Sequence, residues 1–379
     1  MTTQYDCLLL TSFGGPEKPA DVMPFLENVT RGRGIPRERL EAVAQHYLAL
    51  GGTSPINDQN RALMGALSAE FARRGIALPI YWGNRNWDPF LADELRRLAA
   101  DGHRRVLAFA TSAYASYSGC RQYREDLAAA LFETGLSGTV AVDKVRLYFD
   151  HPGFIGPFVD GLVRALTSLA SDGVAAAEVR VLFTTHSIPD AMAAASGPPG
   201  RFDEGGAYVA QHVAAIERVI AGAAACDVEV PDHALVYQSR SGAAHVRWLE
   251  PDINDALRAA ATAGVRVVVL VPIGFISDHI EVVWDLDNEA RETSDELGLR
   301  VLRVATPGTQ HAFVRGIADL VEERVRDAPP LAESELGPWP WICAVGCCRN
   351  LRADLPTVAG ADSTVGTLIS QVEQDHLLP

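Results

Sequence analysis

The sequence predicts an α/β protein in two halves, each a parallel four-stranded sheet flanked by helices. Three observations predict it. Eight short apolar or β-branched runs recur along the chain in two sets of four. These runs are close to continuous in hydrophobicity, as strands covered on both faces must be. Between them lie stretches such as "QNRALMGALSAEFARRG" and "PFLADELRRLAADG", with apolar residues at i, i+3, i+4 and i+7 on one helical face.

Taken in order, the first run, 5–13 (YDCLLLTSF), leads into "GGPE" and reads as a strand ending in a Gly-rich turn. The next three are 78–84 (LPIYWGN), 104–112 (RRVLAFATS) and 143–149 (DKVRLYF). Pro and Gly then cluster in "FDHPGFIGPF", where the halves join. The second set comprises 178–185 (EVRVLFTT), 232–239 (DHALVYQS), 266–274 (RVVVLVPIG) and 299–305 (LRVLRVA). A chain of 379 residues is long for one core and suits two domains, placed at 1–148 and 149–307, with 328–379 as a C-terminal extension. No sequence repeat relates the halves.

Charge and composition exclude several functions. The formal net charge is −15, which argues against nucleic acid as a partner, because backbone binding needs basic surface. An anionic ligand would need positive charge gathered locally, and "TRGRGIPRER" gathers Arg31, Arg33, Arg37 and Arg39. The opening "MTTQYDCLLLTSFGG" has no basic n-region, and no run reaches 18 apolar residues. A cytoplasmic protein without stable membrane insertion is expected, and a monomer, since no apolar seam stands out. In open parallel sheets function gathers at the carboxyl ends of strands. Those ends carry no G-x-G-x-x-G, no G-K-[ST] and no G-x-S-x-G, so neither a dinucleotide, a P-loop nor a nucleophile elbow is indicated.

What the ends do carry is histidine and acid. His186 follows a buried-looking strand in "TTHSIPD", and His279 follows another in "SDHIE". The stretch "SDHIEVVWDLDNEA" reads as a helix with Ile280, Val283 and Trp284 on one face and Glu281, Asp285 and Glu289 beside it at i, i+4 and i+8. Like charges so spaced destabilise a helix by roughly 0.2–0.5 kcal/mol per pair. No Lys or Arg interrupts residues 278–290 to offset them. A line of oxygen ligands leading to a histidine suits a divalent cation held or passed along. Glu281 is also close enough to His279 in sequence to pair with it as acid and base.

"TTHSIPD", "FISDHIEVVWDLDNEA", "SFGGPE" and "GGTSPIN" together resemble the ferrochelatase family, in order and spacing, over about residues 5–325. The resemblance implies a chelatase-like fold: two Rossmann-like domains, a porphyrin cleft between them, and a helix at 308–327 returning to the first domain. It implies insertion of Fe²⁺ into a porphyrin during haem biosynthesis. His186 matches the family's catalytic histidine and Glu281 the glutamate facing it, both at the incoming iron. Asp285 and Glu289 fall on the acidic relay. Substrate contacts are implied for Phe13, Arg31, Arg33, Ser54 and Tyr117. Phe13 stands where some soluble relatives carry a tyrosine, and no axial ligation is available from it; Asn86 lies where others have a second histidine. The polar, basic "ENVTRGRGIPRERL" resembles the soluble enzymes that act on coproporphyrin III, whose four carboxylates need several donors at the rim. The alternatives are protoporphyrin IX, a cobalt chelatase of the same fold, and a non-catalytic porphyrin-binding module with a structural zinc. Transient contact with neighbouring haem-pathway enzymes is a further implication.

The tail "WICAVGCCRN" puts three of the chain's six cysteines into six positions, Cys343, Cys347 and Cys348. Adjacent thiols do not readily form an unstrained disulfide, and three ligands are one short of a tetrahedral site. Some ferrochelatases carry a C-terminal extension whose clustered cysteines bind a [2Fe–2S] cluster with a distant fourth, after the third strand. By that resemblance "YSGC" supplies Cys120, with Cys226 the second candidate. Cys7, inside a strand, reads as a small hydrophobe.

Overall fold

The computed structural model describes residues 5–32, 34–241 and 245–365; Arg33 lies outside them. The first sheet contains β1 (Cys7–Ser12), β2 (Ile80–Asn84), β3 (Arg105–Ala110) and β4 (Ala141–Lys144), all parallel, in the order β2-β1-β3-β4. The second contains β5 (Val179–His186), β6 (His233–Gln238), β7 (Val267–Val271) and β8 (Arg300–Arg303), in the order β6-β5-β7-β8. Both halves therefore use one strand order although no sequence repeat links them. Every residue of β1 and β7 is buried, which is why these runs lack polar alternation.

Helices cover the sheets. In the first half these are α1 (Val22–Val29), α2 (Arg37–Ala49), α3 (Ile56–Arg74), α4 (Leu91–Ala100) and α5 (Gln122–Glu133). Next come α6 (Pro152–Ser171), α7 (Asp190–Ala194), α8 (Gly206–Ala224) and α9 (Ile253–Thr262). A composite helix follows, with one α turn, α10 (Ile280–Val282), a π segment (Val283–Glu289) and α11 (Ala290–Leu297). No helix among the described residues is long and apolar enough to cross a membrane.

The fourth strand differs from the expected 143–149. It spans Ala141–Lys144, and residues 145–149 leave the ladder while staying buried. Their apolarity serves packing: Tyr148 stacks on Phe109 at 5.0 Å, and Phe149 meets Trp339 at 6.2 Å. The seventh run is also shorter than expected, because the ladder stops at Val271, just before Pro272.

The last helix, α12 (His311–Val325), returns to the first half. Its Arg324 meets the Tyr5 hydroxyl and Asp143, and Arg74 of α3 bonds Asp319 at 2.5 Å and Glu322 at 2.8 Å. Arg146 and Glu323, both buried, pair through two bonds of 2.8 Å. A Cβ on Gly153 would lie 2.6 Å from Gly316 Cα, so α6 and α12 cross through a glycine–glycine contact that no side chain could occupy.

Beyond α12 the described part of the extension has neither helix nor strand. Trp339 anchors it against Phe149 and Phe202. Asp362 receives Arg121 at 2.7 Å and also meets Arg124, and Val358 and Ala359 join the apolar layer beneath β1 and β3.

Candidate functional site

His186 is the last residue of β5, and the composite helix begins after β7 beside it, so two adjacent strand ends bring His186 and Glu281 together. His186 Nε2 stands 3.7 Å from Glu281 Oε2. Both side chains retain contact with solvent, 34 % and 47 % exposed. The His186 Nδ1 is bonded to the Ser187 carbonyl. A carbonyl only accepts, so Nδ1 donates its hydrogen to it, and Nε2 is the ring atom that faces Glu281.

The acidic stripe continues inward along the π segment, whose wider turn keeps residues four apart nearly in line. Asp285 accepts from Gln238 Nε2 at 3.2 Å and from the Ser239 hydroxyl, both at the end of β6. Burial, then the nearby Glu281 and Glu289 charges, push its pKa up to about 7 despite those hydrogen bonds. Glu289 accepts from Trp284 Nε1 at 2.7 Å, and the Trp284 ring stacks on His46 of α2 at 4.3 Å. His279 packs against Phe275 at 5.3 Å, and burial lowers its pKa. Glu281 Oε2 is within ion-pair reach of His186, its charge also acts on His279, and no hydrogen bond joins it to either histidine among the described residues.

The first half supplies the facing wall. Phe13, 37 % exposed, packs edge-on to Phe25 at 6.1 Å, with Arg85 over its ring at 5.8 Å. Phe25 continues to Tyr47 and Trp87, and this layer reaches across to Ile280 at the head of the composite helix. The Phe13 carbonyl accepts from both Asn86 nitrogens at 3.2 Å, the Asn86 carbonyl accepts from Asn28 Nδ2 at 2.9 Å, and Asn28 Oδ1 takes Arg31. Arg31 is therefore exposed yet tied to the Phe13 loop. Ser54 is buried beneath Gly15, where an added Cβ would lie 2.7 Å from its own, and so backs that loop. Tyr117 turns to the extension: its hydroxyl donates to Glu125 at 3.0 Å and accepts from Asn350 Nδ2 at 3.1 Å.

The tail thiols meet Cys120 below this wall. Cys120 Sγ lies 3.9 Å from Cys343 Sγ, and Cys347 Sγ lies 3.8 Å from Cys348 Sγ. Cys120 also neighbours Cys348, and Cys343 neighbours Cys347, so each thiol has two thiol partners and the four close a buried ring. Among the described residues no group of three or more His, Cys, Asp or Glu side chains is placed to hold a single metal ion. The Cys347 thiol is pulled down to about 5, chiefly by Cys343 and Cys348 as donors, with Arg124 adding its charge. Lys144 and Arg124, both buried, bear electrostatically on Cys120. Sequence reading did not single out these two cations, since a buried Lys or Arg looks like a surface one until its partners are seen. Cys7 is buried in β1, its pKa pushed up to about 12 by burial, and Cys226 is exposed; neither belongs to the ring.

The family model described as Ferrochelatase matches residues 5–325. Coproporphyrin III ferrochelatase of Leifsonia xyli is 55 % identical over 370 residues, covering 94 % of this chain and 94 % of that one. Coproporphyrin III ferrochelatase of Streptomyces coelicolor is 56 % identical over 373 residues, covering 95 % and 97 %. A solved structure, SirB from Bacillus subtilis with Fe³⁺, aligns at 11 % identity with a TM-score of 0.49, covering 85 % of this chain and 96 % of that one.

Proposed function

Because the chain belongs to the ferrochelatase family, we propose that it inserts Fe²⁺ into coproporphyrin III, with His186 and Glu281 as the catalytic pair. The observation that carries this reading is His186 Nε2 facing Glu281 Oε2 at 3.7 Å, with both side chains open to solvent. Metallation replaces two pyrrole protons with one Fe²⁺, so two bases must lie within reach of the macrocycle. His186 Nε2 takes one proton and Glu281 the other. Asp285, with its pKa near 7, exchanges a proton with the carboxylates on either side and clears the pair for the next turnover.

Phe13 and the Gly14–Gly15 turn form the apolar wall against one face of the ring. Arg31, with Arg33 beside it in sequence, meets the propionates. Four propionates rather than two make a basic rim valuable, since each charge-assisted bond contributes about 1.5–3 kcal/mol. Offering purified protein Fe²⁺ with coproporphyrin III and protoporphyrin IX side by side tests this. Turnover of coproporphyrin III at the higher kcat/KM supports it; preference for protoporphyrin IX overturns the substrate.

We infer further that Cys120, Cys343, Cys347 and Cys348 hold a [2Fe–2S] cluster. A two-iron core takes four thiolates as two pairs. Cys120 and Cys343 at 3.9 Å, and Cys347 and Cys348 at 3.8 Å, all buried, are four thiols that would supply the thiolate ligands such a cluster takes. Lys144 and Arg124 offset the negative charge, and an Arg124 Nη1 left without a partner adds a further donor. Held by Cys120 of the body and Cys343, Cys347 and Cys348 of the extension, the cluster would crosslink the two and supply a redox-active centre. Brown protein whose iron and sulfide disappear on Cys347→Ser supports the assignment; colourless protein containing zinc contradicts it.

A further inference from the structure

The thiol ring and His186 are joined by one short run of hydrogen bonds. Gly197, in the loop after α7, donates its N–H to Cys348 Sγ at 3.3 Å, and Cys348 N–H donates back to the Gly197 carbonyl at 3.2 Å. One residue earlier, the buried Ser196 hydroxyl donates to the Ala193 carbonyl at 2.5 Å and accepts Tyr208 N–H at 2.8 Å. The Ser196 carbonyl accepts Ala207 N–H at 3.2 Å. The segment has little slack: a Cβ on Gly206 would lie 2.0 Å from the Ala193 carbonyl, and Gly206 has φ +61°.

Tyr208 then reaches back to the strand end. Its buried hydroxyl donates to the His186 carbonyl at 2.7 Å and lies 2.9 Å from Thr185 Oγ1. The single phenol proton is committed to His186, so Thr185 is the donor of the second bond. The placement matters because β7 pairs with β5 only as far as Phe183. On that side the backbone of residues 184–186 is held by Gly274 N–H on the Thr184 carbonyl at 3.1 Å and by Tyr208 on the His186 carbonyl. The Tyr208 ring is fixed edge-on to His212 at 4.5 Å, which stacks on Tyr114 at 3.6 Å.

We propose that Tyr208 is a positioning residue for His186 and relays occupancy of the thiol ring to that histidine through Gly197 and Ser196. The relay rests on the readings of His186 as a reacting base and of the four cysteines as cluster ligands. When the ring is filled, Cys348 is fixed and holds Gly197, which keeps Ser196 under the start of α8 and the Tyr208 hydroxyl on the His186 carbonyl. When it empties, Cys348 is free to turn, and the strand end that aims Nε2 at Glu281 loses its brace.

The test compares wild type, Cys347→Ser, Tyr208→Phe and the double variant. Cys347 does not itself bond Gly197, and Tyr208→Phe keeps the ring that packs on His212. Tyr208→Phe is expected to lower kcat about tenfold, the size of one buried hydrogen bond, with the porphyrin KM within about twofold. In wild type, cluster loss through Cys347→Ser is expected to speed amide exchange across residues 195–208 and to shift the His186 imidazole NMR signal. In Tyr208→Phe, cluster loss should still speed exchange across 195–208 while leaving the His186 signal in place. Ser196→Ala should weaken the response in the same way with the phenol intact. A coloured wild type whose His186 signal ignores cluster loss, or responds equally in Tyr208→Phe, overturns the relay alone. A wild type with no cluster overturns the relay together with the cluster assignment. An unchanged kcat in Tyr208→Phe overturns the positioning role.

Discussion

Asp285→Asn isolates the energetic cost built into the acidic stripe. Burial raises the Asp285 pKa from 3.8 to about 7, so the unfolded chain releases this proton before the folded protein does. Between pH 4 and 7 the unfolded state therefore binds fewer protons, and stability falls as pH rises. That elevation sets a ceiling of about 4 kcal/mol above pH 7. Asp285 keeps part of its surface in water, which screens the charge, so about 2 kcal/mol is expected. Asparagine keeps an oxygen for Ser239 and Gln238 and removes the titration. Urea unfolding at pH 4.5 and pH 8 measures the result. Asp285→Asn should be nearly neutral at pH 4.5 and more stable than wild type by about 2 kcal/mol at pH 8, while metal insertion slows. A variant equally or more destabilised at pH 8 would refute the reasoning.

Other perturbations separate the remaining parts of the account. Arg31→Ala should cost coproporphyrin III about 1.5–3 kcal/mol in kcat/KM and protoporphyrin IX less, as steady-state kinetics on both will show. Cys120→Ser should bleach the visible spectrum as fully as Cys348→Ser, while Cys226→Ser and Cys7→Ser leave it intact. Limited proteolysis should cut residues 335–350 faster in each bleached variant. Glu323→Gln strands the buried Arg146 charge and should destabilise the fold by about 3–5 kcal/mol in denaturant titration.

Much of this was legible in the sequence because burial leaves a pattern. The runs around Leu8–Leu10 and Val267–Val271 are apolar at every position, and that is what a covered parallel strand needs. The run at 145–149 shows the limit, since helix packing demands the same residues as a strand and the ladder ends at Lys144. Glu281, Asp285 and Glu289 were visible as a stripe because four-residue spacing lines up on an α or a π turn alike. The π geometry itself left no compositional trace. The three tail cysteines announced themselves by density, but Cys120 lies 223 residues from Cys343 and was placed by resemblance. Tyr208 gave no signal at all. The positioning proposed for it rests on a contact with the His186 carbonyl that only the folded path of the loop through Gly197 creates.

The central claim is that His186 and Glu281 are the groups that take the pyrrole protons. Single-turnover metal insertion into enzyme-bound coproporphyrin III, compared between wild type and His186→Ala, tests it most directly. The account predicts that His186→Ala binds the porphyrin with a Kd close to wild type, because Phe13 and the rim are untouched, yet forms no metallated product. Insertion by His186→Ala at the wild-type rate would contradict it.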